Sequence, residues 1–268
     1  MRRLLKLYVL QTCFNDFQLI RAVSPILKGS PVTLSYIPPN DDYATREKRL
    51  RPYGIRCSCA ICEADLADGL VNLQLRAEIV TDFQAKVSQR NISASSGSVR
   101  IKVGLEDYKK LLKKVCQSCR PVDQTNSNHS SWAQMEATYQ TTRAVCRPDL
   151  AQFHQHLALL YGFLAHATRS QTPYESGIKD HKSALVEYGL VIKNNAIATP
   201  APRTCNIEVL GSTVQIAASN FAMGRHSEAK KWLKSAQAMH EVSIGGGKEL
   251  FQRRFGDMLK TLGLNKLL

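Results

Sequence analysis

Three cysteines lie close together in the sequence Cys57-Ser58-Cys59-Ala60-Ile61-Cys62. Thiolate is a soft ligand that suits zinc, and the C-x-C-x2-C spacing allows three sulfurs to surround one ion. A tetrahedral site then needs a fourth ligand from another part of the chain. The run therefore predicts a zinc site that contains Cys57, Cys59 and Cys62, and chance clustering of thiols is the alternative.

The composition narrows the class of protein. The chain has 268 residues, eight cysteines and a formal net charge of +14. Because no convincing secretory signal accompanies the cysteines, we expect an intracellular protein, nuclear or cytoplasmic, rather than a disulfide framework. No apolar run approaches membrane-spanning length, so we expect no membrane partner. Lys and Arg are spread over most of the chain without interleaved aromatic residues, which favours solvated basic faces over a nucleic-acid surface.

The region before the cysteines is predicted to be rich in β-structure. Residues 17–23 contain several strand formers and end before Pro25, and residues 32–37 form a second such segment that Pro38 stops. We expect these two segments to pair as an antiparallel hairpin. The chain start, Met1 to Leu10, is interpreted as a strand or a ragged gene start rather than a targeting segment, since Lys6 interrupts its apolar part.

The remainder of the chain is predicted to be helical. Residues 44–53 have helical spacing, and Leu66, Leu70, Leu73, Ala77 and Val80 recur at steps of three and four, which is typical of an amphipathic helix. Further helices are predicted at 105–119, 132–146, 148–168, 175–193, 207–223, 227–242 and 248–262. The fold class is therefore α+β, with a small β-rich part at residues 1–65 and a mainly α-helical domain at residues 66–268.

One helix pair has a more specific pattern. Ala218, Phe221, Gly224, Ala229 and Ala236 lie where a tetratricopeptide repeat places its small residues and its turn glycine. Small side chains allow the two helices of a repeat to approach closely. The pattern predicts a tetratricopeptide-like pair, and a plain helical hairpin is an equally weighted alternative.

The first part of the chain resembles a known family. Residues 17–36 (FQLIRAVSPILKGSPVTLSY) resemble the closing part of a SET domain, the protein-lysine methyltransferase fold, and residues 53–62 (YGIRCSCAIC) resemble its post-SET cysteine segment. The resemblance covers about residues 14–62. The whole chain is similar in shape to fungal proteins that join a SET domain to a tetratricopeptide-like helical region, and more distantly to the SET-and-MYND group.

The resemblance implies roles for several residues. Tyr36 corresponds to the tyrosine that lines the lysine channel. Its phenol would orient the substrate amine rather than act as a base, because its ordinary pKa of about 10 keeps it protonated at neutral pH. Cys57, Cys59 and Cys62 correspond to the post-SET ligands of a structural zinc ion, and Cys13 is the candidate for the fourth ligand. The cofactor implied for the family is S-adenosylmethionine, and the partner is a protein or peptide, with histones among the candidates.

The sequence also departs from the family. The Asn-His pair and the Gly-x-Gly segment of the cofactor site have no counterpart before Phe17, and Ile55 replaces an aromatic residue that precedes the cysteines. We therefore expect a methyltransferase-like protein that is N-terminally truncated and inactive as it stands. The alternative is a non-catalytic, zinc-stabilised module for protein–protein interaction, and nucleic-acid binding is a weaker third hypothesis.

Other residue patterns are interpreted structurally. Cys116 and Cys119 have C-x2-C spacing but no second pair, so we expect ordinary thiols, and Cys146 and Cys205 are expected to be buried. His154 and His156 diverge on a helix and are expected at a surface or interface. The lysine-rich run at residues 109–114 is expected to be a solvated face or a contact with an acidic partner.

Overall fold

The computed structural model describes residues 9–14, 17–22, 28–29, 41–57, 60–90, 92–93, 95–118, 148–198 and 207–267. Its helices are α1 Tyr43–Leu50, α2 Ala60–Asp68, α3 Leu70–Arg90, α4 Ser98–Ser118, α5 Pro148–Thr168, α6 Thr172–Glu187, α7 Ile207–Ala222, α8 His226–Ser243 and α9 Gly247–Thr261. Short 3-10 turns cover Arg51–Tyr53 and Leu264–Leu267. The predicted mainly helical domain is thus confirmed, and the predicted helix at 132–146 lies outside the described residues.

The strands form two small antiparallel pairs. β1 (Val9–Phe14) pairs with β2 (Phe17–Ala22), and β3 (Ile192–Lys193) pairs with β4 (Ala196–Ile197). The predicted strand at residues 17–23 therefore exists, with a partner from the chain start. The second predicted strand, at 32–37, lies outside the described residues, so the β-rich SET remnant and the division at residues 65 and 66 stay predictions.

From α3 onward, each helix packs against the next helix of the described chain. Two apolar clusters result, and α5 contributes to both of them. Its residues at steps of three and four, Leu150, Phe153, Leu157, Leu160 and Leu164, face α3 and α4, whereas Ala151 belongs to the cluster of α6 to α9. The fully buried Trp232 and Phe251 fill the second cluster. The helical region is therefore a linear array whose core is shared between neighbours.

Several predicted helices have different bounds in the structure. The helix predicted at 105–119 spans Ser98–Ser118, and the helix predicted within 44–53 spans Tyr43–Leu50. The helix predicted at 175–193 begins at Thr172, where Pro173 suits the first turn, and ends at Glu187. The end was wrong because the β3–β4 hairpin follows, and its turn uses Asn194 and Asn195 at φ of +50° and +55°. Asn tolerates this left-handed conformation better than most residues, and such turns match the twist of a hairpin.

The helix predicted from Leu66 onward is interrupted. α2 ends at Asp68, Gly69 adopts a φ of +83°, and α3 starts at Leu70. The first two residues of the predicted apolar face are exposed, Leu66 by 44% and Leu70 by 77%, whereas Arg76, Ile79 and Phe83 are buried. The segment is helical, as its periodicity predicts. However, α3 turns a different face toward α4, because Gly69 changes the direction of the chain.

Candidate functional site

The helix α1 leads the chain toward the cysteines and has a defined start. Asp42 is its N-cap, and its carboxylate accepts a hydrogen bond from the Thr45 backbone N–H at 2.9 Å. Burial raises the pKa of Asp42, but the hydrogen bonds from Thr45 outweigh burial, and the net pKa is lowered. The cap therefore fixes where α1 begins and which of its residues face inward.

The helix α1 buries Leu50 and one charged residue, Arg46, which is only 6% exposed. Its guanidinium donates to the Asp65 carboxylate of α2 and to the Asp41 carbonyl. Burial opposes its charge, but Asp65 and the neighbouring Cys62 outweigh burial and raise the pKa of Arg46. Arg46 is thus a buried cation, whereas the spread of Lys and Arg along the sequence favoured solvated basic faces.

A second buried arginine extends this contact to α3. Arg76 donates to Asp65 at 2.9 Å and to Asp68 at 2.9 Å. Together, Arg46, Asp65, Arg76 and Asp68 form a row of alternating charges, here named the ion row, whose side chains are 5–7% exposed. Two positive and two negative charges balance each other, so the row connects α1, α2 and α3 without a net buried charge.

The described cysteines of the predicted zinc site lie beside this row. Cys62 is buried, Cys57 is half-buried, and both carry thiols. Both line one cavity of about 260 Å³, together with the cationic side chains of Arg46, Arg51 and Arg56. Soft sulfur donors on a common cavity fit a structural zinc ion.

The remaining predicted ligands are less fully described. Cys59 and Tyr36 lie outside the described residues, and Cys13 lies on β1, of which the structure describes the backbone alone. Among the residues whose side chains are described, no group of three or more His, Cys, Asp or Glu side chains converges. The structure therefore brings Cys57 and Cys62 together, and the complete ligand set stays a prediction.

A larger cavity also has Arg46 in its lining. It has a volume of about 500 Å³ and lies between α1, α2 and α3, with Gln152 of α5 at its edge. Its polar lining contains the carboxylates of Asp41, Asp42, Glu47 and Asp65, and its apolar lining contains Leu70, Leu73, Ala77 and Val80. Arg46 thus lines both cavities, and two further members of the ion row, Asp65 and Arg76, line the larger one.

The ion row was not predicted from the sequence, although a signal was present. Cys62, Asp65 and Asp68 are spaced by three residues along α2, and all three are buried. Carboxylates that share a helix face with a predicted buried thiol need cationic partners, since burial of an unpaired charge is costly. Two arginines at inward positions of adjacent helices satisfy that need.

The predicted histidine assignment was wrong for His154. His154 is 2% exposed, and its Nδ1 lies 2.9 Å from the Asp180 carboxylate, which joins α5 to α6. His156 is half-buried, its ring contacts Phe83 edge-on at 5.0 Å, and burial lowers its pKa. The two rings do diverge, as predicted, but the helical array covers both of the faces that they occupy.

The thiol of Cys116 is buried in the cluster of α3, α4 and α5, and Cys119, Cys146 and Cys205 lie outside the described residues.

No protein-family model, curated protein or solved structure matches this chain significantly. Among the helices of the described part, none combines the length and the apolar character that a membrane span needs.

Proposed function

We propose that this chain is a zinc-stabilised protein-interaction module of SET-type methyltransferase ancestry, in which the metal holds the cysteine segment against the helical array. The observation that carries the proposal is the position of Cys57 and Cys62 on one cavity, directly beside the ion row. A zinc ion at the cysteines would be linked through Arg46 and Asp65 to Arg76 of α3.

Zinc would be held by the thiolates of Cys57, Cys59 and Cys62, with Cys13 as the proposed fourth ligand. When bound, the ion supplies a cross-link between segments that have little apolar surface of their own. The guanidinium of Arg46, buried next to Cys62, offsets the negative charge that several thiolates bring to the site. The role proposed for the metal is therefore structural.

The helical array is the proposed partner-binding part. Two features of α7 and α8 support a tetratricopeptide-like pair: Gly224 turns the chain at a φ of +74°, and Ala229 and Ala236 are fully buried. The sequential packing of α3 to α9 adds to this, because arrays of this kind present extended surfaces that bind peptides and proteins. A protein or peptide partner follows from the same interpretation.

The zinc content of the purified full chain tests the proposal. We expect about one zinc per chain by elemental analysis, and a fall in melting temperature when a chelator removes the metal. Cys57→Ser should lose the metal and melt like the chelated protein, whereas Cys116→Ala, a buried thiol away from the site, should retain it. A metal-free wild-type chain whose melting is unchanged by Cys57→Ser would contradict the proposal.

A methyltransferase in the catalytic sense is the second candidate, and the correspondence of Tyr36 with the lysine-channel tyrosine favours it. Calorimetric titration of the zinc-loaded chain with S-adenosylmethionine separates the two candidates. Saturable binding that is followed by transfer of a labelled methyl group to histones would establish the enzyme. Absence of binding by a zinc-loaded chain would leave the interaction module.

A further inference from the structure

The outer face of α4 differs from the other basic surfaces of the described chain. Residues at positions 99, 102, 103, 106, 110, 113, 114 and 117 follow steps of three and four and are all exposed, whereas the opposite face, from Ile101 to Cys116, is buried. We name the exposed face the α4 stripe. It runs along one side of a 21-residue helix.

The two halves of the α4 stripe have different chemistry. Val99 and Val103 expose 75% and 50% of their surface near the start of the helix. Lys110, Lys113 and Lys114 are exposed near its end, about 15 Å further along the axis at 1.5 Å per residue. Within the described part of the chain, these three lysines form no ion pair, whereas Lys109 pairs with Glu106.

Single exposed aliphatic residues are ordinary on protein surfaces, and so are single lysines. The combination is less ordinary. The helices α8 and α9 are also basic, yet among the described residues they contribute no large exposed hydrophobic side chain. Apolar exposure and unpaired positive charge thus coincide on one helix face of the described array, and this coincidence is what a mixed apolar and electrostatic contact requires.

We infer that the α4 stripe binds an acidic segment of a partner protein, which places aliphatic side chains on Val99 and Val103 and carboxylates on Lys110, Lys113 and Lys114. This inference deepens the proposed interaction function by naming the chemistry of the partner. Charge complementarity selects an acidic partner for a chain of net charge +14. The two valines favour a polypeptide over nucleic acid, because branched aliphatic side chains provide no platform on which bases stack.

The experiment uses the full chain and a fluorescent synthetic peptide of about 20 residues, with leucines in one half and glutamates in the other. We expect saturable binding by fluorescence polarisation that weakens as salt rises. Val99→Ser with Val103→Ser, and separately Lys110→Gln with Lys113→Gln and Lys114→Gln, should each weaken binding about tenfold. The matched control removes exposed lysines of α8, Lys230→Gln with Lys234→Gln, and should change binding less than twofold.

Several results would overturn the inference. Absence of peptide binding would do so, as would equal binding of a peptide with the same composition in scrambled order. An equal loss in the α8 control would show a response to total charge rather than to the α4 stripe. Preferential binding of phosphatidylserine vesicles or of duplex DNA through the same lysines would assign the surface to another class of ligand. Zinc content, measured on the same samples, keeps these outcomes separate from failure of the cysteine site.

Discussion

The array of helices α5 to α9 and the region of α1 to α3 make their contacts between elements in different ways. In the array, large apolar side chains such as Trp232, Leu233 and Phe251 are buried at the helix interfaces. Buried ion pairs join α1 to α2 and α2 to the start of α3. Apolar burial stabilises without a directional requirement, whereas buried ion pairs are stable in one geometry alone.

This difference indicates what each region depends on. The array depends on its packed volume, so loss of a large side chain should be costly there. The α1–α3 region depends on charge balance and, in our proposal, on a metal ion beside Cys62. The following changes test this contrast.

Phe251→Ala should have the largest effect, because the side chain is fully buried between α8 and α9. We expect a loss of about 4 kcal/mol in the free energy of unfolding, since the substitution removes buried apolar surface and leaves a cavity. Urea denaturation followed by circular dichroism measures it. Gln252→Ala, at the exposed neighbouring position, is the control, and a loss below about 1 kcal/mol for Phe251→Ala would refute apolar dominance in the array.

Asp65→Ala tests the other region. Removal of the shared carboxylate leaves Arg46 and Arg76 buried beside each other without it, so we expect the opening free energy of α1 and α2 to fall by about 3 kcal/mol. Hydrogen exchange of α1 and α2 measures it. Asp82→Ala, which removes an exposed carboxylate paired with Lys86, should change exchange by less than about 0.5 kcal/mol.

Replacement of the whole ion row tests whether its ion pairs stabilise the α1–α3 region or only fix the geometry of that region. The variant Arg46→Met, Asp65→Leu, Arg76→Met and Asp68→Leu removes the charges together, and apolar side chains of similar size often replace such groups without loss. We expect stability within about 1 kcal/mol of the wild-type chain. A loss as large as that of Asp65→Ala would mean that the ion pairs themselves stabilise α1–α3.

Acid should weaken the array through His181. This imidazole is buried, its Nδ1 has no hydrogen-bond partner among the described residues, and burial lowers its pKa to about 4. The unfolded chain takes up this proton near pH 6.5. The contribution of the buried, neutral imidazole to the free energy of unfolding is therefore complete above pH 6.5 and is lost as pH falls toward 4. By pH 5 the loss should reach about 2 kcal/mol.

His181→Gln should flatten the stability profile between pH 6.5 and pH 4, measured by urea denaturation at each pH. His166→Gln, at an exposed position of α5, serves as the control and should retain the wild-type slope. If both variants give the same profile as the wild-type chain, burial of His181 makes no contribution to acid sensitivity.

A smaller effect than that of Asp65→Ala is expected at the N-cap of α1. Asp42→Ala removes the acceptor for the Thr45 N–H and should destabilise α1 by about 1 kcal/mol. Hydrogen exchange within residues 43–50 measures this change. Asp42→Asn retains an acceptor and should recover most of the loss, and a failure to recover would point to the charge rather than the cap.

Much of the helical array could be predicted from the sequence. The helix predicted at 148–168 has the same bounds in the structure, and those at 207–223, 227–242 and 248–262 differ by one residue at either end at most. Apolar spacing and helix-ending residues such as Gly224 are local signals. The predicted helix continuations were wrong at Glu187 and at Gly69. At both places the residues that follow form a turn, which ends the helix although the spacing of apolar residues continues.

The candidate site was less accessible from the sequence. Cysteine spacing predicted which thiols should gather, and the structure brings Cys57 and Cys62 to one cavity. Arg46 is one of many Lys and Arg residues that are spread along the sequence. Its pairing with Asp65 joins residues that are 19 positions apart, and no local pattern encodes such a separation.

The sequence by itself thus determined the helices, the hairpin pattern around Gly224 and the candidate zinc ligands, because each depends on neighbours within a few residues. The tertiary structure alone decided which charges are buried. Arg46, Asp65, Arg76 and His154 are residue types that usually lie at the surface. Each is buried here because a neighbouring helix supplies its partner. Burial is a property of the assembled array, since the free energy of a charge depends on what surrounds it in space.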